Sequence, residues 1–210
     1  MLGNKIKFGE TFFELFRVVL TGDKDDSRQA AREVRKFLYS SRDRGHYNDL
    51  KLIIKNAPNE YRKISEDWRE ENFVIAVSVL YFLHDQESQP DFLFPWLLYL
   101  LQHKNGNIRQ SAVRMIEHEI GALTVHIRCP EYKQSQEKSK QSDLILLSLF
   151  YALDELLWET GSKKYKRYKY ISALPSSPYK SVQMVLGRVI EYCGPSYIKD
   201  LERQLTAYNS

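Results

Sequence analysis

Cysteine is nearly absent: Cys129 and Cys193 are the only two in 210 residues. Two thiols make neither a disulfide framework nor a zinc ligand set. Glycine (9) and proline (7) are also sparse, and β-branched residues rarely alternate with polar ones, which argues against sheets and against disorder. No apolar run reaches the ~20 residues that a bilayer-crossing helix needs. The longest, Phe92 to Leu101 and Leu144 to Tyr151, are far shorter. No charged segment followed by an apolar run opens the chain, so no secretory signal is expected. These absences lead to the expectation of a reduced cytoplasmic protein with no membrane partner, no metal and no cofactor.

What is present is apolar mass and charge. Hydrophobic residues make up 43% of the chain and aromatics 13%, with 14 tyrosines, enough for a packed core. The net charge of +4 is unevenly placed. Residues 1–127 hold 18 Lys/Arg against 18 Asp/Glu, residues 181–210 hold 3 against 3, and residues 128–180 hold 10 against 6. The whole positive excess therefore falls within 128–180, which a uniformly solvated surface would not require.

Apolar residues recur at helical spacing through most of the chain. Phe12, Leu15, Phe16 and Val19 predict a first helix from about Ile6 to Thr21, ended at Gly22. Asp26 or Ser27 is the expected cap of a second, running to Ser40. A third covers Tyr47 to Lys55 and stops before Pro58; a fourth, apolar on nearly every side, covers Glu70 to His84. Two more follow, Phe92 to Gln102 and Ile108 to Ile127. Residues 129–142 read as a polar loop, after which Asp143 caps an apolar helix to Glu159 that Gly161 closes. Residues 161–177 form a basic connector. Ser177 as cap and Pro178 at the first helical position open a helix ending at Gly194, and Pro195 opens the last. Short links make sequence neighbours spatial neighbours, so a single all-α domain over 1–210 is expected.

One pair carries more information than the others. Pro95 lies in the first turn of an apolar helix, Asn105-Gly-Asn makes a polar turn, and Ile108-Arg109 with Ala112 opens the next helix. This resembles a HEAT repeat, two antiparallel helices with a proline in the first and a Val-Arg or Ile-Arg pair opening the second. The resemblance covers residues 91–123. It implies a right-handed α-α superhelix, a HEAT-like solenoid of about 8–10 helices, because a helix pair with two apolar stripes must stack on neighbours. It also implies structural roles for Pro95, Ile108, Arg109 and Ala112. One position departs from the pattern: His103 stands where the family usually has an Asp.

The sharpest local chemistry is the run Lys163, Lys164, Tyr165, Lys166, Arg167, Tyr168, Lys169 and Tyr170, five cations interleaved with three rings. Cations neutralise phosphates and release counterions, and tyrosines stack on exposed bases. The same pattern also suits a solvated connector. His118, Glu119, His126 and Cys129 lie close in sequence, with His126 and Cys129 three apart on a helix, but their spacing matches no zinc signature. Glu155 and Glu159 sit one turn apart, the spacing of a carboxylate pair or of a solvated stripe. No catalytic triad order, phosphate-binding loop or metalloprotease helix is present.

The reading is a non-catalytic helical-repeat scaffold that binds another protein or an anionic polymer. A nucleic-acid-binding module using 163–170 is the first alternative. A DNA glycosylase for alkylated bases is the second, since HEAT-like folds include such enzymes; Trp68, Trp96, Trp158 and Asp154 would be its aromatic and acidic groups. A homodimer is also expected where an apolar end of the stack needs covering.

Overall fold

The computed structural model describes residues 11–40, 47–81, 93–132, 134–161 and 175–208. It is all-α: ten helices, and no strand among the described residues. The chain falls into two compact units, residues 1–89 and 90–210.

The first unit holds α1 (Phe12–Thr21), α2 (Lys24–Ser40), α3 (Tyr47–Tyr61) and α4 (Asp67–Leu80). The helix expected from Ile6 begins at Phe12, because Thr11 is extended and forms a capping box with Glu14. The Thr11 hydroxyl accepts from Glu14 N at 3.3 Å, and the Glu14 carboxylate accepts from Thr11 N at 3.2 Å. Asp23, rather than Asp26 or Ser27, caps α2, its Oδ1 accepting from the N–H groups of Asp25 and Asp26 at 2.9 Å each. Ser27 instead lies fully buried and donates to the Val19 carbonyl at 2.7 Å. Arg69, on the first turn of α4, donates to the Val19 and Gly22 carbonyls at 3.2 and 2.9 Å. Two side chains thus satisfy the carbonyls that the end of α1 leaves open.

Contrary to expectation, α3 runs through Pro58 to Tyr61. Leu50, Ile54, Ala57 and Tyr61 make one buried face of α3, and continuing that face outweighs the hydrogen bond that proline removes. The core adds Phe12, Phe16 and Val19 from α1, Ala30 and Val34 from α2, and Phe73, Val74, Val77 and Leu80 from α4. Phe12 meets Phe37 edge-on at 4.7 Å, and Phe16 meets Phe73 at 5.9 Å. No residue from Phe73 to Tyr81 is exposed, in keeping with the apolar run there.

The second unit holds α5 (Phe94–Leu101), α6 (Gly106–Leu123), α7 (Val125–Arg128), α8 (Gln136–Gly161), α9 (Pro178–Cys193) and α10 (Tyr197–Tyr208). Pro95 stands in the first turn of α5, and the Asn105 side chain caps α6 by accepting from Asn107 N at 2.8 Å. The helix expected to reach Ile127 breaks at Thr124. Its hydroxyl donates back to the Ile120 carbonyl at 2.7 Å, and Arg128 donates to the Thr124 hydroxyl at 2.9 Å and the Gly121 carbonyl at 2.7 Å. The single turn α7 is held against the end of α6 by that arginine.

The polar stretch 129–142 is not a loop throughout: α8 begins at Gln136, seven residues before the expected cap Asp143. Ser135 Oγ accepts from Lys138 N at 3.3 Å. Gln, Glu and Lys are good helix formers, so a polar run behind a serine cap can propagate as well as an apolar one. Ser177 and Pro178 do open α9, with Ser177 Oγ accepting from Lys180 N at 3.1 Å, and Gly194 ends it at φ +80°. Ser181, buried on α9, donates to the Leu101 carbonyl at 2.6 Å and so closes the end of α5. The last helix starts at Tyr197, two residues after Pro195.

Candidate protein-binding face

The longest helix, α8, has two opposed faces. Ile145, Leu146, Leu149 and Leu153 are buried, and α8 packs on α9 and α6. On the outside, Leu144, Tyr151 and Trp158 are 50%, 47% and 77% exposed. They are spaced seven residues apart, which returns them to nearly the same side of the helix over about 21 Å. Large exposed apolar side chains arranged together mark interaction surfaces, whereas scattered single ones do not. Full burial of such a side chain is worth roughly 1.5–3 kcal/mol, and Leu144 and Tyr151, already half covered, would gain about half of that.

Polar bonds fix this helix in place. Asp143, on its outer third, receives two of them: Tyr197 of α10 donates its hydroxyl to Asp143 Oδ1 at 2.9 Å, and His126 Nε2 of α7 lies 2.9 Å from the same oxygen. His126 Nε2 is also 3.3 Å from the Tyr197 oxygen. A carboxylate can only accept, so Nε2 carries the hydrogen. The other ring nitrogen, Nδ1, is buried without a hydrogen-bond partner among the described residues. Further along, Tyr151 donates to Glu202 of α10 at 2.6 Å.

Burial, with the Asp143 hydrogen bond second, pushes the Tyr197 hydroxyl well above its ordinary value. Burial, with the Asp143 charge second, pushes the Cys193 thiol up to about 11. Near neutral pH both stay protonated, and a thiol held so is a poor nucleophile. The cluster joins α7, α8 and α10 and works as a clamp on the helix that bears the exposed stripe.

The residues singled out in sequence are placed as follows. Lys163 to Tyr170 lie outside the described residues, as does most of the basic connector. Ile108 and Ala112 are fully buried, and Pro95 is exposed on α5. Arg109, 1% exposed, donates to the His103 and Lys104 carbonyls at 2.7 and 2.9 Å and to the Pro175 carbonyl at 2.6 Å. It holds together the α5–α6 turn and the start of α9. His118 is exposed while Glu119, the next residue, is fully buried. Cys129 lies past the end of α7 at φ −129°, so the helical register expected to align it with His126 does not hold. No group of three or more His, Cys, Asp or Glu that could hold a metal occurs among the described residues. Glu155 and Glu159 are exposed on α8. Trp96 is buried, Asp154 is half-buried, and Trp68 lies under the Arg69 guanidinium at 4.3 Å.

One group was missed in the sequence. Arg28, Arg32 and Arg35 are exposed on α2 with Lys24 and Lys36, at spacings that form a stripe. Lys36 pairs with Glu33 at 2.6 Å, whereas the three arginines make no ion pair among the described residues. The balanced charge of residues 1–127 concealed them, because acids of the same stretch offset them in number: Asp25 and Asp26 stand on the first turn of α2 just ahead of Arg28, while Arg32 and Arg35 follow one and two turns further on. No helix among the described residues is long and apolar enough to cross a membrane. Compared with family models, with curated proteins and with solved structures, the chain shows no significant match.

Proposed function

We propose that this protein is a non-catalytic helical scaffold whose α8 face binds another protein. The observation that carries this reading is the row Leu144, Tyr151 and Trp158, exposed on a helix clamped by Asp143 and Tyr151. Tryptophan and tyrosine are the residues most enriched among energetic anchors of interfaces. On this reading the helix pairs are of HEAT-like, solenoid type. Support for that comes from α5–α6, with Pro95 in the first turn, Asn105 as cap, and Ile108, Arg109 and Ala112 buried. The test is affinity capture on the tagged chain, read by mass spectrometry with and without nuclease. A protein retained after nuclease and lost from Trp158→Glu supports the reading; equal retention by that variant removes it.

A second reading, binding of an anionic polymer, is favoured by Arg28, Arg32 and Arg35. Guanidinium groups pair phosphates through two parallel hydrogen bonds, and a row of them along one helix follows a phosphate backbone. Retention that disappears with nuclease and with Arg28→Glu/Arg32→Glu/Arg35→Glu would favour this reading over the first.

A further inference from the structure

We infer that the arginine face of α2 holds nucleic acid by its phosphates alone, reading neither base nor sugar, so that binding is independent of sequence. The inference rests on the anionic-polymer reading above and names both its ligand and its mode of recognition. In its charge spacing, α2 breaks a rule that helices elsewhere in the chain keep. Arg188 pairs with Glu191 at 2.7 Å and Arg203 with Asp200 at 3.4 Å, each three residues away, and Lys36 of α2 pairs with Glu33 in the same way. Arg32 cannot do so. The residues three and four away on either side of it are Arg28, Gln29, Arg35 and Lys36. Arg35 has no acid at those spacings either. Like charges so placed destabilise a helix, and Arg32 makes three such pairs. Asp25 and Asp26 on the first turn offset part of the row, but from Arg28 onward α2 carries four cations against Glu33 alone. A local rule broken inside an otherwise consistent helix marks a functional surface, and a bound anion is what would relieve this repulsion.

Lys24, Arg28, Arg32 and Arg35, all exposed, follow one another at four, four and three residues. Those spacings keep them within about 80° of one side of α2 over about 16 Å. A nucleic-acid strand carries a phosphate about every 3.4 Å of its axis, so about five lie along the row whatever the bases. An acidic peptide would match the row only with carboxylates in the same register. Guanidinium groups also grip phosphate through paired hydrogen bonds. For the bases there is no platform on this helix. Sites that read single strands stack them on aromatic rings, and no described aromatic side chain of α2 is exposed. Phe37 is turned onto Phe12, edge-on at 4.7 Å. Phe13 on α1, 45% exposed, is the exposed ring of this unit among the described residues.

Fluorescence anisotropy with labelled homopolymer strands of equal length tests the inference. Oligo(A), oligo(U) and oligo(dT) should bind within about threefold of one another, because they present the same charge. Arg28→Glu/Arg32→Glu/Arg35→Glu should lose about 100-fold in affinity at low salt, with an unchanged helical circular dichroism spectrum. Phe13→Ala should lose nothing. Arg32→Glu alone turns repulsion by Arg28, Arg35 and Lys36 into attraction, so the free protein should melt about 2–4 °C higher while its binding weakens. A lower melting temperature would make Arg32 a support of the fold and overturn the inference. A preference of about tenfold for one homopolymer, or weaker binding by Phe13→Ala, would mean that bases are read; that overturns the inference and leaves the anionic-polymer reading standing. Capture of polyglutamate through the three arginines with no nucleic acid bound does the same. A chain that retains no polyanion at low salt removes both.

Discussion

The Arg109 guanidinium donates to the Pro175 carbonyl at 2.6 Å across 66 residues of sequence. With its bonds to His103 and Lys104 it fastens a turn and a distant segment to one point on α6. Arg109→Ala would leave these carbonyls without their donor and should cost about 2–4 kcal/mol. Arg109→Lys should recover only part of that, because an ammonium cannot reproduce the planar fork. Urea denaturation followed by circular dichroism measures both; a loss below about 0.5 kcal/mol for the alanine variant would remove the argument.

The clamp around Asp143 predicts an alkaline weakness. Tyr197 and Cys193 hold their protons more tightly in the folded chain than in the unfolded one. Above the ordinary thiol value of 9.0 the folded state therefore binds more protons, and stability falls as pH rises. Below that pH the contribution is fully present. The Cys193 part is lost between 9.0 and about 11, and the Tyr197 part from 10.0 upward. Cys193→Ala should flatten the fall in melting temperature over the first interval, whatever it does to stability at neutral pH. An unchanged slope would contradict the assignment.

Three glycines separate close approach from spare room. A Cβ at Gly22 would stand 2.7 Å from the Val18 carbonyl oxygen, so Gly22→Ala should destabilise by about 1–3 kcal/mol. At Gly121 and Gly187, inside α6 and α9, a Cβ meets nothing within 4 Å. Alanine there should stabilise by about 0.5–1 kcal/mol each, through the conformational freedom that glycine loses on folding. Thermal unfolding of the three variants gives the signs directly.

Trp158 supplies an optical reading of its surroundings. It is 77% exposed while Trp96 is 7% exposed. Fluorescence should contain a red-shifted part that acrylamide quenches readily and that Trp158→Phe largely removes, leaving the contribution of half-buried Trp68. When a partner covers this face that part should shift to the blue; a spectrum unchanged in the bound sample would exclude Trp158 from the contact.

The arginine row on α2 predicts salt dependence. If it holds a phosphate polymer, affinity for single-stranded RNA should fall steeply with salt, and each Arg→Gln change should lower the slope of log affinity against log salt by about 0.7. Equal slopes for the triple variant and the parent would exclude the row.

Much of this architecture could be read from residue spacing. Phe12, Leu15, Phe16 and Val19 identified the buried side of α1, and Ser177-Pro178 with Gly194 marked both ends of α9, because local capping chemistry sufficed there. The reading failed where tertiary contacts or side-chain bonding overrode local rules. Proline at 58 suggested an end, but Ala57 and Tyr61 had a core to enter. Thr124 looked like an ordinary helical residue, yet its hydroxyl and Arg128 form the break after α6. The exposed row on α8 was hidden by its own apolarity: Leu144 and Tyr151 bound one of the longest apolar runs of the chain, and Trp158 directly follows Leu156 and Leu157. Hydrophobicity marks what a helix could bury, while which side meets a neighbour depends on where α6, α9 and α10 lie.

The early start of α8 has a practical consequence. From Gln136 to Gln141 the helix contributes no buried side chain; Ser142 is the first. Those turns rest on the Ser135 cap and on intrinsic preference, and so short a helical segment is marginal by itself in water. Their amides should exchange with deuterated solvent far faster than those from Ile145 onward, and trypsin should cut the native chain at Lys138 and Lys140 before it reaches the arginines that the core enfolds. An inserted tag or a new pair of termini would be tolerated best at this point.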